Sequence, residues 1–315
     1  MIARILRLVL VLQIAGGLAL GALIADLLGA RAHLGAALVL GLLAAFAVHP
    51  LIIALDFAIT GAVRSQVPPA LRLGPVAALV TYAVEVRAGM RSFSFANPFL
   101  CERAAPRPRL PAQALPILFL HGYFCNRGMW MPFMAEAARR GFHCEALTLE
   151  PAFGVLESYI LPIEAAIERL CAASGAPQVI VVAHSMGGLA ARAWMRATGG
   201  GRLARLITLG SPHAGTIMAG FGHGGSVRQM RLASPWLERL GGDESTEKRA
   251  QITSVFSHHD NIIAPQLSAS LAGATNIALA GLGHVALVYE HAVWDLVLDI
   301  AQTTARAVPA PAAHA

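Results

Sequence analysis

This sequence is poor in charge. Of 315 residues only 13% are Asp, Glu, Lys or Arg, while 56% are hydrophobic. An ordinary soluble domain carries roughly 25% charged residues, so the deficit argues against a wholly water-facing chain and makes a lipid bilayer the expected partner. Cysteine is scarce too. Cys101, Cys125, Cys144 and Cys171 show no CxxC or metal-type spacing, which excludes a zinc ribbon or a redox dithiol and leaves the compartment open. No long basic block exists either. The net charge is +6, but the arginines are scattered, with only short clusters such as Arg103 to Arg109. A slightly basic surface near anionic lipid accounts for them, and no nucleic-acid partner is expected. No internal repeat is evident.

Two long apolar runs are present. Leu8 to Ala25 carries no charge and reaches the roughly 18-residue length of a transmembrane candidate. Leu34 to Leu55 is longer and holds His49 and Pro50 near its end, a kink that a membrane helix tolerates. A cleavable signal peptide starting at Arg4 and Arg7 is the competing assignment for the first run. The run exceeds a usual signal core, and a second follows after a short link through Gly29, Arg31 and His33, so a two-span hairpin is the expectation. Arg4 and Arg7 precede it, Arg31 lies between the spans, and Arg64, Arg72, Arg87 and Arg91 follow. This balance puts both ends, and the rest of the chain, on the cytoplasmic side.

The expected organisation is a membrane anchor over 1–65, an interfacial helix and Pro-rich linker over 66–111, a catalytic domain over 112–304 and a disordered tail over 305–315. Leu73 to Val86 reads as a helix lying at the interface or packed on the domain. The three prolines between Arg103 and Pro111 forbid a continuous helix. Beyond them, strand-sized apolar runs at 117–120, 179–182, 206–209, 252–256 and 276–279 alternate with helical patterns at 133–140, 158–173 and 188–197. That alternation predicts an α/β fold, a mostly parallel sheet with helices on both faces.

The chemistry concentrates in short segments. In Val179-Ile-Val-Val-Ala-His-Ser-Met-Gly-Gly-Leu189 an apolar strand runs into a turn of small residues and then a helix, the setting of a nucleophile elbow. Ser185 stands at the turn, with Ala183 and Gly187 two places to either side. The turn puts its hydroxyl at a helix N-terminus, where the backbone N–H of Met186 faces developing negative charge. Phe119-Leu-His-Gly-Tyr-Phe124 follows the first strand, Ser257-His-His-Asp-Asn261 another, and Gly281-Leu-Gly-His-Val285 the last. Adjacent His258 and His259 point different ways and lack a companion cluster, so no metal is expected.

These segments, with Gly210-Ser-Pro-His-Ala-Gly-Thr216, resemble the lipase and esterase members of the α/β-hydrolase family over about residues 115–301. Ala183 departs from the usual first glycine of the elbow, conservatively in size. The resemblance implies a triad in the order Ser185, Asp260, His284, with Tyr123 and Met186 as backbone oxyanion donors and no cofactor. Asp243, Glu244 and Asp295 are rivals for the acid; His121 is implied to shape its loop. For Val227 to Leu240 two readings stay open, an amphipathic cap over the pocket and an ordinary surface helix packed on the core. The implied function is a membrane-associated serine hydrolase of lipophilic carboxylic esters. An acyltransferase using the same triad and a noncatalytic binding protein of this fold remain open.

Overall fold

The computed structural model describes residues 1–27, 29, 34–108 and 115–308. The link through Arg31 and His33, the linker from Arg109 and the tail from residue 309 lie outside the described residues.

Six strands, β1 (Ile117–Leu120), β2 (Cys144–Leu147), β3 (Val179–His184), β4 (Leu203–Leu209), β5 (Ile252–Ser257) and β6 (Thr275–Leu279), form one sheet. Its order is β2-β1-β3-β4-β5-β6, and every pairing is parallel. The central β3 is buried at each position because helices cover both faces. Alternate side chains divide between two cores, as the period of two demands. Ile180 and Val182 join Ile117, Phe119, Phe133 and Trp294 on one face. Val179, Val181 and Ala183 join Leu118, Leu120, Tyr159 and Trp194 on the other. The α/β-hydrolase fold class expected from the sequence is the one observed.

Three local expectations need correction. Edge strand β2 was not anticipated: Cys-Glu-Ala-Leu has no β-branched residue, and only its ladder with β1 makes it a strand. The final helix His291–Ala307 runs past residue 304 into the expected tail. The third concerns Val227 to Leu240, which forms no cap. It contributes the short helices Gly225–Gln229 and Pro235–Gly242, and Val227, Met230, Trp236, Leu237 and Leu240 are buried in the core cluster that holds Tyr159, Leu189 and Trp194. All four cysteines are unpaired.

The N-terminal region is built differently. Helices α1 (Ile2–Leu27) and α2 (Leu34–Gly61) form an antiparallel hairpin, and both are long and apolar enough to cross a membrane. They touch through small residues. A Cβ on Gly17 would collide with the carbonyl of Gly41 and one on Gly21 with that of Ala37, so glycines four apart let the backbones meet. Gly17 and Gly21 therefore serve contact within the chain; Gly16 faces open space. The Gln13 side chain donates to the Ala45 carbonyl.

At its N-terminal end α1 docks on the sheet domain, with Ile2 and Leu6 packed among Phe93, Phe124 and Phe153. Helix α3 (Pro75–Gly89) begins with proline at its first position, where a missing N–H has no consequence. It packs on α2: the Tyr82 hydroxyl donates to the Pro50 carbonyl at 2.9 Å. Its opposite side leaves Val76, Leu79 and Val80 exposed. A π-helical turn, Met90–Ala96, leads to Asn97. Asn97 Oδ1 accepts from the Asn126 N–H at 2.8 Å, and the Asn126 amide donates to the Asn97 carbonyl at 2.8 Å. This pair ties the segment after the hairpin to the loop after β1.

Candidate active site

Ser185 links β3 to the helix Met186–Thr198 with φ 54 and ψ −125. Such a conformation costs a non-glycine residue about 1–3 kcal/mol, and the surroundings hold it: the Ser185 N–H donates to the Leu209 carbonyl at 2.9 Å. A Cβ at Gly187 would lie 2.7 Å from the carbonyl oxygens of Leu120 and His121, so the helix can approach β1 only with glycine there. At the first small position Ala183 is fully buried. Met186 is the first residue of the helix, so its N–H has no partner within it. Tyr123, in the loop after β1, lines the same cavity as Ser185; its hydroxyl donates to the His223 carbonyl at 2.9 Å.

The acid and the imidazole meet. His284 Nδ1 donates to Asp260 Oδ2 at 2.8 Å, and both side chains are buried. Asp260 follows β5, and its other oxygen accepts from the Ile262 and Ile263 N–H groups at 2.8 and 2.7 Å, which fixes the carboxylate before any substrate arrives. The rivals are engaged elsewhere. Glu244 makes a buried bidentate pair with Arg192 at 2.7 and 2.6 Å, Asp243 pairs with Arg196 at 2.6 Å, and Asp295 pairs with Arg140.

Three side chains that sequence reasoning did not assign hold the His284 loop. The His284 N–H donates to Asn261 Oδ1 at 2.9 Å. Its carbonyl accepts from His184 Nε2 at 3.1 Å, with the two rings 4.5 Å apart. Glu85, fully buried at the end of α3, accepts from the N–H groups of Val285 and Ala286 at 2.9 and 2.8 Å. Asn261 and His184 adjoin recognisable motifs, so neighbourhood was a usable signal for them. Glu85 had none, since its partners lie some 200 residues away.

Burial sorts the histidines. Burial and the neighbouring His284 hold His184 well below the ordinary 6.5. Burial pushes His121 down to about 4; its Nε2 accepts from the Leu149 N–H at 2.8 Å and its Nδ1 donates to the Gly122 carbonyl at 2.7 Å, which makes it a brace for its loop. His213 of the Gly210–Thr216 loop is also neutral by burial, bonded to Thr208 at 3.1 Å and accepting from Arg192 at 3.2 Å. For His284 burial opposes the charge, but the Asp260 carboxylate beside it, then Glu85 and Asp56, outweigh that and raise its pKa above 6.5. Burial pushes Glu85 up to about 7 despite its two backbone donors.

Ser185, His284 and Tyr123 line a cavity of about 400 Å³. Among the described residues, no group of three or more His, Cys, Asp or Glu side chains is arranged to hold a metal. A hydroxyl on a strained turn, an imidazole paired to a fixed carboxylate and free helix N-terminal donors together make an arrangement able to transfer an acyl group.

Comparison with known proteins agrees with this architecture. The family model described as "Alpha/beta hydrolase family" matches residues 117–312. The mature form of Bacillus licheniformis lipase BlEst2 superposes with a TM-score of 0.56 at 16% identity, over 62% of this chain and 96% of that one. Aspergillus fumigatus lipase B does so with a TM-score of 0.51 at 18% identity, over 63% of this chain and 56% of that one. At such identities the likeness is one of fold. From the parallel sheet, the strained serine turn and the match over residues 117–312, the chain belongs to the alpha/beta hydrolase family.

Proposed function

We infer that this protein is a membrane-associated serine hydrolase that cleaves lipophilic carboxylic esters through Ser185, His284 and Asp260. The observation that carries the reading is the 2.8 Å bond from His284 Nδ1 to Asp260, in a cavity shared with Ser185 on its strained turn. The two long apolar helices support membrane association, and the lipase fold of the structural neighbours supports the reaction class.

In the reaction, His284 Nε2 takes the hydroxyl proton as Ser185 Oγ attacks the acyl carbon, and the N–H groups of Tyr123 and Met186 stabilise the oxyanion. The ester C–O bond breaks, and the alcohol leaves with the proton from His284. Water then gives a proton to His284 and attacks the acyl-enzyme. Ser185 recovers its proton and the carboxylic acid departs. Asp260 holds the tautomer throughout. No step calls for a cofactor.

The test is fluorophosphonate labelling and p-nitrophenyl ester hydrolysis of intact protein against Ser185→Ala. Labelling should vanish and turnover fall by about 10⁴- to 10⁶-fold. A folded wild type that neither labels nor hydrolyses would leave a binding protein of this fold. Capture of the acyl group by added alcohol in preference to water would reassign the enzyme as an acyltransferase.

A further inference from the structure

The cavity over Ser185 is walled by the N-terminal hairpin. Leu6 and Val9 come from α1, and Val48, Ile52 and Ile53 from α2. No residue between 227 and 240, where a cap was one reading, lines it. Ile53 is buried, whereas Val9, Val48 and Ile52 are 45%, 38% and 53% exposed, so the wall continues into the outer apolar face of the hairpin. Asp56, Glu85 and His49 are the titratable groups that α2 and α3 bring to the cavity, and none of the described residues lining it is lysine or arginine.

We propose that the hairpin is itself the acyl-chain site. One chain of a neutral lipid ester enters from the surrounding bilayer between Val9 of α1 and Val48 and Ile52 of α2, and its carbonyl reaches Ser185. The proposal rests on the reading of Ser185 as the nucleophile of an ester hydrolase. The occupant follows from the continuity of the wall: an apolar lining that begins at the reactive serine and ends on a lipid-compatible surface fits a hydrocarbon chain attached to an ester. Two carboxyl groups, Asp56 and Glu85, with no lysine or arginine beside them among the described lining residues disfavour an anionic headgroup at the inner end, which selects esters of neutral alcohols, such as acylglycerols, over anionic phospholipids.

The full-length protein in detergent or vesicles is compared with Val9→Trp and Val48→Trp, which fill the cavity from different helices, and with Leu43→Trp, which adds the same bulk on α2 outside it. In wild type, kcat/KM should rise about fourfold for each methylene buried, the equivalent of about 0.8 kcal/mol, until the cavity is full. Both filling variants should lower the ratio of long-chain to short-chain kcat/KM at least tenfold through a raised KM, and Leu43→Trp should keep the wild-type ratio. Neutral diacylglycerol should be cleaved in preference to phosphatidylglycerol of the same chains. Fluorophosphonate labelling of Ser185 in each variant reports that the site is folded. Labelled filling variants with an unchanged chain-length ratio would overturn the hairpin site while leaving the ester-hydrolase reading intact. Preference for the anionic lipid would overturn the neutral-ester assignment, and absence of labelling in wild type would instead remove the reading beneath both.

Discussion

The hairpin and the sheet domain are held together by different physics. In the sheet domain the large apolar side chains point inward, and each buried Val, Leu, Ile or Phe contributes about 1.5–3 kcal/mol by leaving water. In the hairpin the large side chains point outward: Leu12, Leu43, Phe46 and Leu51 are exposed, while Gly17, Gly21 and Ala45 form the contact. Such a pair has little apolar area of its own to bury. On the proposed membrane association, it depends on close backbone packing and on an apolar surround. Glu85, at the end of α3, reaches from the anchor side into the His284 loop and bridges the two regimes.

All four tryptophans, Trp130, Trp194, Trp236 and Trp294, are in the sheet domain, so their fluorescence follows that region alone. The largest stability effect is expected from Glu244→Ala, which strands the buried Arg192 guanidinium. A loss of about 3–5 kcal/mol should show as an earlier tryptophan transition in denaturant. Gly21→Leu should act on the other region, forcing α1 and α2 apart at a cost of about 2–3 kcal/mol. Cysteine crosslinking across the hairpin would report the separation, with the tryptophan midpoint nearly unmoved. A midpoint shift as large as that of Glu244→Ala would mean that the two regions unfold as one unit.

The smallest effect belongs to the bridge. Glu85→Gln keeps one acceptor and leaves one buried N–H poorly satisfied, costing about 1–2 kcal/mol. Its pH signature is more specific. In the proposed mechanism His284 acts as a base when neutral, so kcat/KM should rise with pH through its raised pKa. Removing the Glu85 charge should shift that limb to lower pH. Folded Glu85 titrates at about 7, against an ordinary 4.5, so between those values the folded state binds more protons than the unfolded one. Its contribution therefore makes stability fall as pH rises from about 4.5 to about 7, and this slope should disappear in Glu85→Gln. An unchanged kinetic limb would show that Glu85 only braces the loop.

Sequence reading went furthest where a property is local. The Ala183–Gly187 turn needs small residues within five positions, and strands β1, β3, β4, β5 and β6 carry their own aliphatic signal. The candidate triad was legible because each member follows a strand in a fixed order. Edge strand β2 was missed, since pairing with β1, not composition, makes it a strand. Of the two readings open for 227–240, the packed helix is observed and the cap is not, because an amphipathic pattern says that one face is covered and does not say by what. Trp236 and Leu237 turned that face to the helix Met186–Thr198.

The amino-acid order alone determined the parallel α/β core, the apolar character of the first sixty or so residues and the small-residue turn at Ser185, because steric demands and hydrophobic periods act over a few residues; Asp260 and His284 entered as candidates through the family resemblance. Tertiary structure alone decided that α1 and α2 wall the cavity above Ser185 and that Glu85 holds the backbone after His284. Those contacts join segments about 130 to 200 residues apart, and no local period encodes which distant surface closes over a site.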